Sequence, residues 1–199
     1  DDGVTPSQAS IKAAEKAISK SGVDKKDIGC LLHTSVSRDF LEPATATVVH
    51  DSLGLPSTAT IFDISNACLG FINGMVTLAN MIELGQVKAG IVVGCESSKR
   101  VVDAIVDRIL RDPDITKEKV KMAFATLTLG SGAAAAVLTH SSLSRDGHKL
   151  LGGVTRAASQ HNDLCRIEQD TCFFDPSILP DMHTESTELL KNGARLAPD

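Results

Sequence analysis

Cys68 is the residue most clearly placed to do chemistry, because it lies where a predicted strand gives way to a predicted helix. Residues 60–65 alternate as a short strand does, and from Cys68 onward apolar residues recur at helical spacing as far as Ile82. Gly85 then lies just past the expected helix end. The unpaired N–H groups and the dipole at the start of a helix favour a thiolate over a thiol. This position therefore predicts a sulfur nucleophile.

A second interpretation of Cys68 stays open on position alone. A free cysteine on an apolar helix is usually a small hydrophobic residue of the core. The location at a strand-to-helix junction brings the two interpretations close to balance. The wider sequence has to decide between them.

Composition excludes several classes of function. The 199 residues are 42% hydrophobic and 23% charged, values that are ordinary for one globular domain. A net charge of −5 with no Trp and no Tyr argues against a nucleic-acid partner, because neither a basic stripe nor a stacking surface is available. No apolar run has the length of a membrane span, and no signal-peptide pattern opens the chain, so neither feature is expected.

The cysteines favour reduced thiols over structural bridges. Their number is five, which is odd, and none forms a CxxC pair. Reduced thiols in the cytoplasm fit this pattern better than a disulfide framework does. His161, Cys165 and Cys172 could be considered as metal ligands, but their spacing matches no common site. We therefore expect neither a metal nor a cofactor.

Strand and helix patterns alternate along the chain, which predicts an α/β fold with a mostly parallel sheet and helices on both faces. A capping-box-like start at Thr5 opens the first helix. His33 is expected to be a partly buried structural residue of the first strand, with a catalytic histidine as the alternative. Strands are predicted at residues 28–36, 60–65, 88–95, 134–139 and 150–158. Further helices are predicted at 44–53, from 68, at 99–111, from about 116 and at 185–197, with an irregular stretch at 161–180.

Four stretches resemble the 3-oxoacyl-acyl-carrier-protein synthase III family of the thiolase superfamily, and they occur in the family's order. They read TSVSRDFLEPATA, DISNACLGF, GIVVGCE and TLGSGAAAAVL. The second resembles the family's nucleophile motif, which favours the catalytic interpretation of Cys68. The thiolase fold has two halves, and residues 1–199 resemble the N-terminal one. The resemblance implies a helical excursion at about 97–125, no opening strand and an absent C-terminal half.

The resemblance also implies an activity. Cys68 would attack an acyl thioester, and the acyl-enzyme would then condense with a carbanion from a second acyl thioester. That carbanion would be made either by decarboxylating a malonyl group or by deprotonating an acyl α-carbon. This Claisen condensation belongs to fatty-acid or long-chain hydrocarbon biosynthesis, with acyl-CoA or acyl-ACP substrates. The family pairs as a homodimer through the strand at 60–64, and its second half supplies a histidine and an asparagine. Residues 1–199 are therefore expected to be inactive alone.

Glu42 is a departure from the family pattern, which usually has an apolar residue just before the proline of this loop. In the family the loop borders the active site. A carboxylate beside the cysteine suits removal of a proton from an acyl α-carbon, as in the head-to-head, long-chain branch that the chain resembles most. A solvated loop residue is the alternative for Glu42.

Two further functions remain open from the sequence. The chain could be a non-catalytic thiolase-fold module that acts by dimerisation. Gly130, Gly132 and Ala135 also match a G-x-G-x-x-A dinucleotide fingerprint. The residues that follow predict a strand rather than a helix, and the family's own Gly-rich turn explains these glycines without a nucleotide.

Overall fold

The computed structural model describes residues 3–145, 147–168 and 181–196. The chain divides into two compact units, Asp1–Ser97 with Ser131–Gly153, and Ser98–Gly130 with Val154–Asp199. The first unit contains α1 (Pro6–Ser21), β1 (Ile28–His33), α2 (Thr45–Leu53), β2 (Thr60–Asp63), α3 (Gly70–Glu83), β3 (Ala89–Glu96) and β4 (Gly132–Thr139). The second contains α4 (Lys99–Arg111), α5 (Lys117–Leu127), β5 (Cys165–Glu168), β6 (Asp181–Thr184) and α6 (Ser186–Leu196).

The sheet of the first unit has the strand order β2-β1-β3-β4. β1 is parallel to β2 on one side and to β3 on the other, whereas β4 is antiparallel to β3. The predicted mostly parallel sheet is therefore confirmed. Because β1, β2 and β3 are parallel, the segments that follow them all leave from one edge of the sheet, where α/β folds place their ligands.

Helices cover both faces of this sheet, as predicted. Successive residues of a strand point to opposite faces. Leu31 packs with α1 and α2, while Leu32 packs with α3, and both side chains are fully buried. Burial of such a side chain contributes about 1.5–3 kcal/mol.

The first helix begins with the predicted capping box. The Thr5 hydroxyl accepts a hydrogen bond from the N–H of Gln8 at 3.3 Å, and the Gln8 side chain accepts one from the N–H of Thr5 at 3.1 Å. Gly22 ends the helix with a φ of +64°, a conformation that glycine adopts without strain.

Glycines bring α3 unusually close to the sheet. A Cβ atom on Gly74 would lie 2.8 Å from Thr34 Cγ2 and 2.9 Å from Val92 Cγ1. A Cβ atom on Gly90 of β3 would lie 2.5 Å from Leu78 Cδ1 and 2.9 Å from the Cys30 carbonyl oxygen. The helix therefore packs at a distance that no larger residue allows at these two positions.

Two strand predictions need correction. Residues 150–158 were expected to form a strand, but residues 147–158 form neither strand nor helix. Leu151 and Val154 are 94% and 85% exposed, and the two glycines between them weaken any extended pairing. The strand at 60–65 is shorter than predicted and ends at Asp63. It is an outermost strand of the sheet, so Phe62 is 37% exposed rather than buried.

The second unit contains two of the predicted helices. α4 has the predicted bounds, and Thr116 caps α5 by accepting a hydrogen bond from the N–H of Lys119 at 3.2 Å. α4 and α5 contact each other and β6, which pairs with β5 in an antiparallel hairpin. The sequence did not predict this hairpin: β5 lies within the stretch 161–180 that was expected to be irregular, and β6 directly follows it. Residues 169–180 of that stretch lie outside the described part. None of the helices described here is long and apolar enough to cross a membrane.

Replacing Gly74 with alanine should lower the free energy of unfolding by about 1–3 kcal/mol, because overpacking outweighs the gain in helix propensity. Gly193→Ala in α6 is the matched control, since nothing lies within 4 Å of the added carbon. That substitution should be neutral or stabilise by up to about 1 kcal/mol. Urea denaturation followed by circular dichroism measures both values. Equal effects of the two substitutions would contradict the close packing at Gly74.

Candidate active site

Cys68 lies in one turn of 3-10 helix, Ala67–Leu69, between β2 and α3. The Cys68 side chain is exposed. The predicted strand-to-helix junction is confirmed, although the α-helix itself begins at Gly70 rather than at the cysteine. The Leu69 N–H closes the turn on the Asn66 carbonyl oxygen at 3.0 Å. The structure thus presents the sulfur to solvent at the edge where the parallel strands end.

The residue before the cysteine has a strained backbone. Among the described residues other than glycine, Ala67 alone has φ in the left-handed region, at +43°. Such a conformation costs about 1–3 kcal/mol and persists only where its surroundings hold it. Strain of this kind clusters at functional sites, so its occurrence beside Cys68 points to a built site rather than a chance exposed thiol.

Two asparagines tie this turn to the following helix. The Asn66 side-chain amide donates a hydrogen bond to the Asn73 side-chain oxygen. Sequence reasoning did not assign either residue a role. The available signal was Asn73 itself, which is a polar residue in the first turns of a mostly apolar helix.

The start of α3 rests on the end of β1. A Cβ atom on Gly70 would lie 3.4 Å from the Thr34 carbonyl oxygen and 3.6 Å from that of Ile64. Thr34 is itself fixed to β3, because its N–H donates to the Val93 carbonyl oxygen at 2.8 Å. The first residue of α3 therefore lies about one methyl group away from the backbone that follows β1 and β2, next to the cysteine turn.

Glu42 lies in the loop between β1 and α2, and its side chain is exposed. Within the described part of the chain it makes no hydrogen bond or ion pair shorter than 4 Å. The loop follows β1 and the cysteine turn follows β2, so both leave the same edge of the sheet. The topology brings the two predicted site residues to one edge.

Carboxylates fix both ends of the Glu42 loop. At its start, Glu96 accepts hydrogen bonds from the N–H groups of Val36 and Ser37 at 2.8 and 3.1 Å. At its end, Asp63 accepts from the N–H groups of Thr45 and Ala46 at the start of α2, both at 2.9 Å. Sequence reasoning missed both carboxylates. Glu96 directly follows a predicted strand and Asp63 lies within one, and their acidic character was the only signal available.

His33 is buried, as expected for a structural residue. Its Nε2 atom lies 3.1 Å from the Ser10 hydroxyl, and its Nδ1 atom lies 3.9 Å from Asp63 Oδ1. Burial lowers the pKa of His33, and the carboxylates of Asp63 and Glu96 oppose that shift. A fully buried imidazole cannot exchange protons with a substrate at the sheet edge.

Two other cysteines provide a contrast with Cys68. Burial raises the pKa of the Cys30 thiol to about 11, and burial also raises the pKa of Cys95. Both are therefore protonated at neutral pH, and the protonated form is a poor nucleophile. Cys165 is exposed like Cys68, whereas Cys172 lies outside the described residues.

The alternative sites from the sequence receive no geometric support. No group of three His, Cys, Asp or Glu side chains in the described part could hold a metal ion. The Gly-rich turn leads into β4, as predicted, whereas a dinucleotide fingerprint requires a helix at that point.

Comparison with known proteins defines the class. Residues 62–158 match the family of 3-oxoacyl-[acyl-carrier-protein] synthase III. A β-ketoacyl-[acyl-carrier-protein] synthase III from Koribacter versatilis is 34% identical over 103 residues, which are 52% of this chain and 31% of that protein. Residues 62–158 therefore carry the domain of this family, and the resemblance found in the sequence is confirmed.

Two relatives of higher identity carry a narrower name, acyl-CoA:acyl-CoA alkyltransferase. The protein from Shewanella oneidensis is 43% identical over 195 residues, which are 96% of this chain and 55% of its own length. That from Xanthomonas campestris is 42% identical over 179 residues, which are 90% of this chain and 53% of its own length. The chain thus spans about half the length of these curated relatives.

Solved structures of Xanthomonas campestris OleA have the same fold. One with bound lauric acid and lauroyl-CoA has a TM-score of 0.87 at 40% identity. The match covers 98% of this chain and 55% of the OleA chain. A variant with a glutamate replaced by alanine has a TM-score of 0.88 at 40% identity, with 98% and 54% covered. The thiolase-type α/β fold predicted from sequence is therefore confirmed.

The hydrogen bond between Asn66 and Asn73 predicts a non-additive pattern. Asn66→Ala, Asn73→Ala and the double variant should each slow alkylation of Cys68 by the same factor, roughly 2–10-fold, because each removes the same bond. Asn80→Ala, an exposed residue of the same helix, is the control and should leave the rate unchanged. Iodoacetamide labelling with peptide mapping gives the rates. Multiplicative slowing in the double variant would show that the two residues act independently.

Proposed function

We propose that this chain supplies the nucleophile and the base of an acyl-thioester condensing enzyme. Cys68 accepts an acyl group from one acyl-CoA, and Glu42 deprotonates the α-carbon of a second. The observation that carries this proposal is an exposed cysteine directly after a strained Ala67, in a turn held between a strand and a helix. Strain beside an exposed nucleophile is typical of a catalytic turn.

In the first step the Cys68 sulfur attacks the thioester carbonyl carbon. A bond forms between that carbon and Cys68, the bond to the coenzyme A sulfur breaks, and coenzyme A leaves as its thiol with the proton lost by Cys68. The oxyanion of the tetrahedral intermediate needs N–H donors. The first N–H groups of a helical segment have no partner within it, and the Cys68 N–H belongs to such a segment. One such donor contributes about 3–4 kcal/mol where it has been measured.

In the second step Glu42 takes a proton from the α-carbon of the second acyl-CoA. The resulting carbanion attacks the carbonyl carbon of the acyl-cysteine, a carbon–carbon bond forms, and the Cys68 thiolate leaves. Glu42 suits this role because its carboxylate is exposed and unengaged within the described part of the chain. Glu96 and Asp63 are less suited, since their carboxylates already accept hydrogen bonds from backbone N–H groups.

The solved relatives support both assignments. Structures of the Xanthomonas campestris protein include one with a cysteine replaced and lauroyl-CoA bound, and others with one glutamate replaced. That cysteine and that glutamate are separated by the same number of residues as Cys68 and Glu42. A CoA thioester is accordingly the first substrate to test, and an acyl-ACP is the second. Such substrates and unpaired thiols fit lipid metabolism in the cytoplasm.

A second copy of the chain completes the proposed site. β2 is an outermost strand of the sheet. Its outer side has no strand partner among the described residues, and Phe62 on it is exposed. An unpaired edge of this kind favours addition of a strand, and two-fold pairing of β2 with itself makes a homodimer. Leu41 and Glu42, which shortly precede α2 in the sequence, are both exposed. We assign Glu42 to the Cys68 of the partner copy.

Cys68 should react before the other cysteines. Iodoacetamide at neutral pH, followed by peptide mapping, should modify Cys68 ahead of Cys165, and both well ahead of Cys30 and Cys95. Cys165 is the control because it is also a free and exposed cysteine, with its sulfur 3.5 Å from the Thr184 hydroxyl. Labelling of Cys68 no faster than Cys165 would mean an accessible thiol without activation.

Lauroyl-CoA gives the corresponding test with a substrate-like probe. In a protein that continues through the second thiolase half, mass spectrometry should find an acyl group on Cys68, lost in Cys68→Ala and retained in Cys165→Ala. Acylation that is absent from Cys68 in this folded protein would favour the non-catalytic dimerisation module instead.

Glu42→Gln should leave acylation of Cys68 intact and slow condensation by roughly 10²–10⁴-fold, the usual cost of losing a general base. Glu15→Gln, on the exposed side of α1, is the control and should condense at the parental rate. The assay is product formation from lauroyl-CoA by the protein that contains both halves.

Mixing two inactive variants tests whether Glu42 serves the partner copy. In a mixed dimer of Cys68→Ala and Glu42→Gln protomers, one site keeps both an intact Cys68 and an intact Glu42 from the partner. Condensation should therefore reappear on mixing. Each mixed dimer should have up to about half the activity of a parental dimer, because one of its two sites is intact. Activity that stays absent would place Glu42 and Cys68 of one site on the same protomer, or rule out the dimer.

A further inference from the structure

Side chains replace backbone pairing where β1 and β3 end. The last backbone bond between them runs from the Thr34 N–H to the Val93 carbonyl oxygen, at 2.8 Å. Beyond it, the Cys95 N–H donates to the Ser35 hydroxyl oxygen at 2.7 Å. The Glu96 carboxylate then accepts the next two N–H groups of the loop. The loop start is therefore bound to the end of β3 by polar side chains.

Ser37 closes this network. Its hydroxyl donates to Glu96 Oε2 at 2.7 Å and accepts from the Ser97 N–H at 2.9 Å. With the two backbone N–H groups, the Glu96 carboxylate thus accepts three hydrogen bonds from the loop. Hydrogen bonds to an ionised acceptor are about twice as strong as neutral ones, and three on one carboxylate fix its position firmly.

The rest of the loop is short and is held again before α2. Asp39 accepts a hydrogen bond from the N–H of Ser7 at 3.3 Å, and Asp63 holds the first N–H groups of α2. Glu42 lies between these attachments. Its own side chain makes no hydrogen bond or ion pair within the described residues, so the backbone of the loop decides where its carboxylate is presented.

We propose that Glu96 is a positioning residue for Glu42. It holds Val36 and Ser37, and through them it sets the path of the loop that presents the base. This inference rests on the proposed function, because it gives the network a catalytic purpose. Glu96 itself is not placed to act as the base, since both of its carboxylate oxygens accept hydrogen bonds from the loop.

Amide exchange in residues 1–199 tests the structural part of this inference. Glu96→Ala should speed hydrogen exchange at Val36 and Ser37 by about 10–100-fold, the factor expected from losing bonds to a charged acceptor. Ser37→Ala keeps the backbone bonds and should have a smaller effect. Glu15→Ala is the control and should have none. Unchanged exchange at Val36 and Ser37 in Glu96→Ala would overturn the proposal.

Kinetics in the protein with both halves test the catalytic part. Glu96→Ala should slow condensation of lauroyl-CoA by about 10–100-fold while the KM and the rate of Cys68 acylation stay at parental values. If Glu96 acts through Glu42, the variant with both Glu96→Ala and Glu42→Gln should be no slower than Glu42→Gln alone. Multiplicative slowing in the double variant would contradict this, because a general structural role adds to the loss of the base.

The two proposals can fail separately. Parental condensation by Glu42→Gln would reject Glu42 as the base, and with it the positioning role of Glu96, even where exchange shows that Glu96 orders the loop. Slow condensation by Glu42→Gln together with unchanged exchange in Glu96→Ala would reject Glu96 alone. Rescue of condensation by Glu96→Asp, which keeps a carboxylate, would support the positioning role further.

Discussion

The approach of α3 to the sheet is the constraint on which the candidate site depends. Gly74 removes a side chain that would hold the helix away, and Gly90 does the same from β3. As a result the helix packs closely on Thr34 and Val92. The cysteine turn has nowhere to extend except outward from the edge where β1, β2 and β3 end, and its sulfur is presented there.

This packing also explains how a strained residue is tolerated. Ala67 has an unfavourable φ, and a flexible turn would relax it at once. Here β2 fixes the chain before the turn and α3 fixes the chain after it, while the Asn66–Asn73 bond joins the two sides. The buried contacts of Leu78 and Ile82, at about 1.5–3 kcal/mol each, are ample to offset a cost of about 1–3 kcal/mol.

The sequence predicted those features that are encoded locally. The capping box at Thr5, the bounds of α4 and the junction at Cys68 each depend on a few neighbouring residues, and each was confirmed. The mostly parallel sheet followed from alternation of strand and helix patterns. The family resemblance added the identity of the fold, which the structures of relatives then confirmed.

What the sequence could not predict depends on contacts between distant residues. Glu96 and Asp63 bind loop and helix N–H groups that lie far from them along the chain, and no short pattern announces such a partner. The strand predicted at 150–158 was wrong because an apolar run forms a strand only where another strand pairs with it. The left-handed φ of Ala67 is likewise invisible, since alanine has no preference for that conformation.

The two buried thiols have a use of their own. Cys30 and Cys95 lie on β1 and β3, both side chains are buried, and burial raises the pKa of both thiols. An electrophile reaches them only when the structure around them opens. Their modification therefore records opening of the core, whereas modification of Cys68 records the folded surface. The native cysteines thus report two events separately: Cys68 reports the reactivity of the site, and the two buried cysteines report the rate of opening. No cysteine has to be introduced by mutation.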